Sequence, residues 1–161
     1  VRVKAGPANH PSTCVGYRLF TSDGSIAFFP DNELHPESAP PPQAAGATVA
    51  PARTFARSEN RKLIDFLRGT DVLIMDTQFD REEYQQHTGW GHGCLDDVVA
   101  LAIQAEVKRL FLFHHDPDHD DAKVSQMLAH ARQLVAARKG ALQVEAAREG
   151  VTVELAAAGR V

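Results

Sequence analysis

The chain has 161 residues, which is enough for one domain with its own hydrophobic core. Its formal net charge of -4 argues against a surface that coats nucleic acid, because phosphate binding depends mainly on Lys and Arg. No apolar run approaches the roughly 20 residues that span a bilayer, and the first residues show no signal-peptide pattern. We therefore expect a cytoplasmic protein without membrane contact, in which Cys14 and Cys94 are reduced thiols.

The first predicted elements are two short antiparallel strands. They span Cys14–Phe20 and Ser25–Phe29 and flank an Asp-Gly turn, which is a common hairpin signal. Residues 36–56 follow, rich in Pro and Ala and without hydrophobic periodicity. They are predicted to form a mobile excursion or lid outside the core.

The rest of the chain alternates between helix and strand patterns. Ser58 is a candidate cap for a short helix that ends at Gly69, and a buried strand then ends at Asp76. The remaining predicted elements are a helix from Leu95, a strand over Val107–Phe113, a helix from Asp120 or Asp121 to Gly140, and strands over Leu142–Ala146 and Val151–Leu155. Hairpin and crossover connections together predict an α/β fold with a mixed β-sheet and flanking helices.

The most informative stretch for function follows the strand that ends at Phe113. Apolar residues give way there to three histidines and four aspartates within His114–Asp121. Imidazole and carboxylate ligands together suit zinc, manganese or iron. Asp31 and Asp76 also stand just beyond predicted strands, and the strand ends of α/β sheets form a crevice where ligands bind.

Two further histidines could reach the same crevice. His10 precedes the first hairpin strand, and His92 lies between glycines, which allow an imidazole to approach a ligand closely. Structural interpretations stay open: Asp31 and His10 could be ordinary turn residues, and Asp76 could cap a loop. The other ligand-type residues of the loop are expected to be solvated or to cap the next helix: His115, Asp116, His119, Asp120 and Asp121.

Several segments together resemble a known family. They are Val72–Phe79, Glu83–Tyr84, Gly89–His92 and Leu110–Pro117, preceded by Asn9–Pro11, Gly16–Arg18 and Phe28–Glu33. These segments look like the second half of the metallo-β-lactamase-fold hydrolases, and within them the phosphodiesterase branch that includes ribonuclease Z and cyclic-nucleotide phosphodiesterases. The resemblance covers nearly everything from His10 to Leu155 and implies half of an αββα sandwich.

The resemblance also implies roles for individual residues. His10 corresponds to a ligand of one of two divalent metal ions, Asp31 to the carboxylate that bridges both, and His114 to a ligand of the second. His92 corresponds to the histidine near the scissile phosphate, and Asp76 to the acidic residue that orients it. The ions implied are zinc foremost, with manganese or iron as alternatives. The implied reaction is the attack of a metal-activated hydroxide on a phosphodiester.

One departure from the family pattern is large. The signature His-x-His-x-Asp-His, which supplies most metal ligands from the first half of the fold, occurs nowhere in this sequence. We therefore expect residues 1–161 to form a single domain that is the C-terminal half of the fold and is inactive in isolation. The missing N-terminal half, from the same gene or a second chain, is the expected partner, and the sheet should present an exposed apolar face. Homo-oligomers are also compatible with such a face.

Other functions stay open at the level of sequence. The chain could be a non-catalytic interaction or scaffold module that keeps the fold, or a hydrolase of another ester or thioester. A small phosphodiester is favoured over a large RNA substrate because no long basic or glycine-rich arm is present.

Overall fold

A six-stranded β-sheet forms the centre of the protein. The computed structural model describes residues 1–35 and 49–155, with the side chains of 49–52 left undescribed. The strands lie in the sheet in the order of the sequence: β1 (Arg2–Pro7), β2 (Val15–Phe20), β3 (Ser25–Phe29), β4 (Val72–Asp76), β5 (Arg109–Phe113) and β6 (Gln143–Ala146).

The sheet is mixed, as the sequence predicts. The pairs β1–β2 and β2–β3 are antiparallel, whereas β3–β4, β4–β5 and β5–β6 are parallel. Helices fill the connections between the parallel strands: α1 (Val49–Leu67), α2 (Arg81–His87), α3 (Leu95–Gln104) and α4 (Asp121–Ala137). The prediction of an α/β fold with flanking helices is confirmed.

The main core lies between one face of the sheet and the helices. Alternate residues of the central strands point to it and are fully buried: Ala27, Phe29, Leu73, Met75, Leu110 and Leu112. The helices contribute the apolar stripes expected at helical spacing, among them Leu67, Val98, Val99, Ala102 and Ala131. Each buried methylene group stabilises the fold by about 0.8 kcal/mol, so this layer is the main source of stability.

The opposite face of the sheet is apolar but only partly covered. Its β3, β4 and β5 positions line a cavity together with residues of the segment 147–155: Ile26, Phe28, Ile74, Phe111, Phe113, Val151, Val153 and Leu155. On β1 and β2 the same face is open, and Val3, Val15 and Tyr17 are exposed by 55%, 39% and 43%. An apolar face of this kind usually meets a partner layer.

Two predicted boundaries are wrong. Helix α1 begins at Val49, not at a Ser58 cap, so 49–56 are helical, while residues 36–48 of the predicted excursion lie outside the described chain. Pro51 lies in the first turn, where a backbone N–H would have no acceptor within the helix, so proline is tolerated there. Val151–Leu155 is not a strand: this segment lies against the apolar face of the sheet and pairs with none of the strands in the described part of the chain.

Helix α2 was not predicted, although its start carries a recognisable signal. The Asp80 side chain accepts hydrogen bonds from the amides of Glu82 and Glu83, at 2.9 and 3.0 Å, and the Glu83 carboxylate accepts from the Asp80 amide. This reciprocal pair is a capping box, and Asp-x-x-Glu ahead of Tyr84 is its sequence form.

Candidate metal centre

Three parallel strands bring the predicted residues to one edge of the sheet. Asp31 stands two residues after β3, Asp76 ends β4, and His114 follows β5 directly. Because these strands run in the same direction, their carboxyl ends lie side by side. Asp31 and His114 therefore lie close together, although 83 positions separate them in the sequence.

Asp31, His92 and His114 form a cluster with the chemistry of a metal site. Their ligand atoms all lie within 4.8 Å of one another. The Nε2 atom of His114 is 3.1 Å from Asp31 Oδ1, and the His92 and His114 ring centroids are 4.8 Å apart. One carboxylate and two imidazoles are ligands that zinc accepts readily. The buried Nδ1 atom of His114 has no hydrogen-bond partner among the described residues, which also fits a site that holds a cation.

The backbone of His114 is held in an unusual conformation. Its φ of 57° lies in the left-handed region, which costs a residue with a side chain of the order of 1 kcal/mol. The end of β5 is held in place just before His114, because the Thr77 amide donates a hydrogen bond to the Phe113 carbonyl at 3.0 Å. Such conformations occur most often where a side chain must point towards a functional site.

His92 is paired with a fully buried carboxylate. Its Nδ1 lies 2.8 Å from Asp76 Oδ2, and Asp76 also accepts hydrogen bonds from the amides of Asn32, Gln78 and Gly93 at 3.0–3.2 Å. The hydrogen bond with Asp76 raises the pKa of His92 above its ordinary value, against the effect of burial. The contact fixes the orientation of the imidazole and leaves its Nε2 for another partner.

His10 lies next to this cluster but outside the group of three. Its ring centroid is 5.5 Å from that of His92, edge to face, and its Nδ1 accepts a hydrogen bond from the Ser12 amide at 3.1 Å. Gly91, with φ of 95°, makes the close approach possible, since a Cβ there would stand 2.4 Å from His10 Cδ2. The structure thus brings all five predicted site residues into one neighbourhood.

The loop after β5 agrees with the sequence prediction only in part, because His115 and His119 are not the solvated groups expected: the His119 side chain is 7% exposed, and both ring nitrogens of His115 are buried. Asp120 caps α4 by accepting a hydrogen bond from the Lys123 amide at 2.7 Å, as predicted for Asp120 or Asp121. The His119 ring pairs with Glu83 at 3.0 Å instead of facing the cluster.

Several polar residues that hold the site together were not singled out from the sequence. The Asn9 amide donates to Asn32 Oδ1 at 3.0 Å, and the Glu33 amide donates to the Asn9 carbonyl at 2.9 Å. Cys14 Sγ donates weakly to the Asp31 carbonyl at 3.5 Å. These contacts join the segments that carry His10 and Asp31. They could not be predicted from a local sequence pattern, because the residues that they join are distant in sequence.

Comparisons with known proteins find partial similarity in sequence and in fold. The chain is 36% identical over 75 residues to ribonuclease Z of Sulfurisphaera tokodaii, which covers 45% of this chain. It is 24% identical over 151 residues to a ribonuclease Z of Bacillus cereus, which covers 78% of this chain. The metallo-β-lactamase-fold protein YhfI of Bacillus subtilis superposes on 92% of the chain with a TM-score of 0.63 and 17% identity.

The chain is therefore similar in sequence to ribonuclease Z over part of its length, and it has the metallo-β-lactamase fold over the part that superposes. No family model matches it. The chain spans about half the length of two of these proteins and less of the third: the matched parts are 49% of the Bacillus cereus protein, 47% of YhfI and 24% of the Sulfurisphaera protein. Among the described residues, none of the helices has the length and apolar character needed to cross a bilayer.

Proposed function

We propose that this chain is one part of a metal-dependent hydrolase that cleaves phosphodiesters. The observation that carries the proposal is the convergence of Asp31, His92 and His114, whose ligand atoms lie within 4.8 Å of one another at the carboxyl edge of the sheet. The ribonuclease Z names of the relatives support a hydrolase of this class. The full activity belongs to the assembled protein, by which we mean this chain together with the other half of the sandwich.

Asp31 and His114 are proposed to hold the metal, with His10 as a further ligand through its Nε2. Zinc fits this donor set best, and manganese or iron are the alternatives. A bound divalent cation would lower the pKa of a coordinated water and offset charge on the phosphate. Two ions at a dinuclear site need more ligands than these three residues offer, so the other half of the fold would supply the rest.

His92 is proposed to donate a proton to the leaving oxygen. Its raised pKa keeps a larger fraction of the imidazole protonated near neutral pH, which a general acid requires. Asp76 holds Nδ1, so the proton to be transferred would be carried on Nε2. Burial of Asp76, with three backbone amides on its oxygens, keeps this orientation fixed.

The apolar face of the sheet is proposed to pack against the missing half. Val3, Val15 and Tyr17 on its open part are the exposed apolar residues that such a layer would cover. A small diester is the favoured substrate, since the net charge of -4 is poorly suited to a long RNA. A comparison of the turnover of a cyclic nucleotide with that of a structured RNA would distinguish the two.

Three substitutions in the assembled protein test the proposal. His114→Ala should reduce metal affinity at one site, because a ligand is removed. His92→Ala should leave metal affinity nearly unchanged and lower kcat by about 10²-fold, the usual scale for a positioned proton donor. His130→Ala is the matched control, because His130 is exposed and its polar contact among the described residues is a long 3.3 Å pair with Asp96.

Metal content by elemental analysis and turnover of bis(p-nitrophenyl) phosphate are the two measurements. If His92→Ala loses the metal as completely as His114→Ala does, His92 is a ligand and not the proton donor. If none of the three substitutions changes either quantity, the proposed hydrolase activity at this cluster is wrong. A chain that binds no metal in the assembled protein would instead be a non-catalytic module.

A further inference from the structure

Glu33 is a buried carboxylate with an unusual set of partners. Only 4% of the residue is exposed. Its oxygens accept hydrogen bonds from the Tyr84 hydroxyl at 2.6 Å, the Gly89 amide at 2.9 Å and the Gly91 amide at 2.9 Å. A buried charge is costly unless it is fully hydrogen-bonded, and these donors offset that cost.

The two glycine donors belong to the loop that carries His92. Gly89 and Gly91 have φ of 89° and 95°, values that residues with a side chain rarely adopt. Both amides point at the same carboxylate, so the loop wraps around Glu33. Trp90, between the two glycines, is 59% exposed, so apolar burial of its indole contributes little to holding the loop in place.

The backbone of Glu33 is tied to the other side of the metal centre. It follows Asp31 by two residues, its amide donates to the Asn9 carbonyl at 2.9 Å, and its carbonyl accepts from Asn9 Nδ2 at 3.0 Å. Asn9 directly precedes His10. Glu33 is therefore the residue at which the segments that carry His10, Asp31 and His92 join.

We infer that Glu33 is a positioning residue, whose carboxylate holds the glycine loop so that His92 stands beside Asp31 and His114 before any substrate arrives. The inference rests on the proposed function for the role of His92, but the ordering of the loop does not. Glu33 itself reaches neither the substrate nor the metal, because its oxygens are occupied by Tyr84 and the loop.

Trp90 provides a direct test because it is the only tryptophan in the sequence and sits within the held loop. Time-resolved fluorescence anisotropy of this chain reports how freely the indole and its loop move on the nanosecond scale. In Glu33→Gln the side-chain NH₂ group would face the three donors that now bind the carboxylate, so hydrogen bonds to the loop would be lost. The amplitude of the fast depolarisation should at least double. Tyr84→Phe is the matched control, since it removes one hydrogen bond to Glu33 and leaves both glycine contacts, and it should leave that amplitude unchanged.

Glu33→Asp keeps the charge but shortens the side chain, and it decides the outcome if Glu33→Gln does not fold. It should give an intermediate amplitude. Unchanged anisotropy in a folded Glu33→Gln or Glu33→Asp chain would overturn the inference. An equal increase in Tyr84→Phe would also overturn it, because the effect would then be a general loosening of the fold.

The assembled protein gives the second readout. Glu33→Gln should lower kcat by about 10-fold or more, because misplacement of a reacting group by about 1 Å can cost up to 10²-fold, while KM and metal affinity stay near wild type. A general structural defect would change all three together. If the loop loosens but no activity exists in either protein, the proposed function fails and the positioning role of Glu33 in the fold stands.

Discussion

Asp76 is the residue on which the orientation of His92 depends. Its carboxylate is fully buried and receives the imidazole and three backbone amides. Asp76→Asn would turn an amide N–H₂ towards those donors, at a cost of about 1–3 kcal/mol in the free energy of unfolding. It would also lower the pKa of His92, because the charge that raises this pKa is removed.

The pH dependence of this effect has a definite sign. Because the folded pKa of His92 is raised, the stability it contributes is complete below the ordinary histidine pKa of 6.5 and is lost as the pH rises through the folded pKa. The difference in free energy of unfolding between wild type and Asp76→Asn should therefore be largest in mildly acidic solution and shrink in alkaline solution. Urea unfolding across this range measures the difference, and a difference that grows with pH would contradict the account.

At the scale of elements, helix α2 links the cap at Asp80 to the site. The helix carries Tyr84, whose hydroxyl donates to Glu33, and Lys123 of α4 pairs with both Asp80 and Glu83. Asp80→Ala removes the capping box and should lower the free energy of unfolding by about 1–2 kcal/mol. Asp80→Asn keeps an acceptor for the cap but loses the charge that pairs with Lys123, so it should cost less.

Chemical denaturation of both Asp80 variants measures these costs. The carboxylate also gives the effect a pH dependence: burial raises the pKa of Asp80, but its amide hydrogen bonds and the Lys123 ammonium outweigh burial and lower the pKa overall. Its stabilising contribution is present above the ordinary pKa near 3.8 and is lost as the pH falls through the folded value. Equal costs for Asp80→Ala and Asp80→Asn would show that the cap contributes nothing.

The elements that could be predicted from sequence are those whose apolar period is strong. The strand ending at Phe113 and the helix from Leu95 lie within two residues of their predicted bounds. The start of α1 could not be predicted because Pro- and Ala-rich composition obscured a helix that tolerates Pro51 in its first turn. In the 151–155 segment apolar and polar residues alternate as in a strand, but its apolar side chains pack against the face of the sheet.

The site was predictable only in part, for a physical reason. Asp31, Asp76 and His114 follow strand patterns directly, so their edge of the sheet can be anticipated. Glu33 cannot be found in this way, because its hydrogen-bond partners are 51 to 58 residues away in the sequence. Long-range polar contacts depend on how loops meet, which no local period encodes.

At the scale of the whole molecule, the open apolar face is the surface through which we expect the chain to associate. Tyr17 lies at its centre on β2 and is 43% exposed. Tyr17→Lys should leave the free energy of unfolding of this chain within about 0.5 kcal/mol, as for most surface substitutions. It should weaken any association through the face, both between copies of the chain and with the proposed other half of the fold.

Sedimentation equilibrium of the chain measures this effect as a fall in weight-average mass towards that of the monomer. Phe55→Lys is the matched control, because Phe55 is a similarly exposed aromatic residue, at 58%, on α1 and away from the sheet face. Equal effects of the two substitutions would mean that the face has no special role in association.

Cobalt titration of the assembled protein tests the central claim most directly. Co²⁺ takes the same ligands as zinc and absorbs visible light when bound, so its spectrum reports the number and kind of ligands. We expect saturable binding in the assembled protein, weakened at least tenfold by Asp31→Asn and by His114→Ala and unchanged by His130→Ala. Absence of saturable binding, or binding that survives loss of both Asp31 and His114, would contradict it.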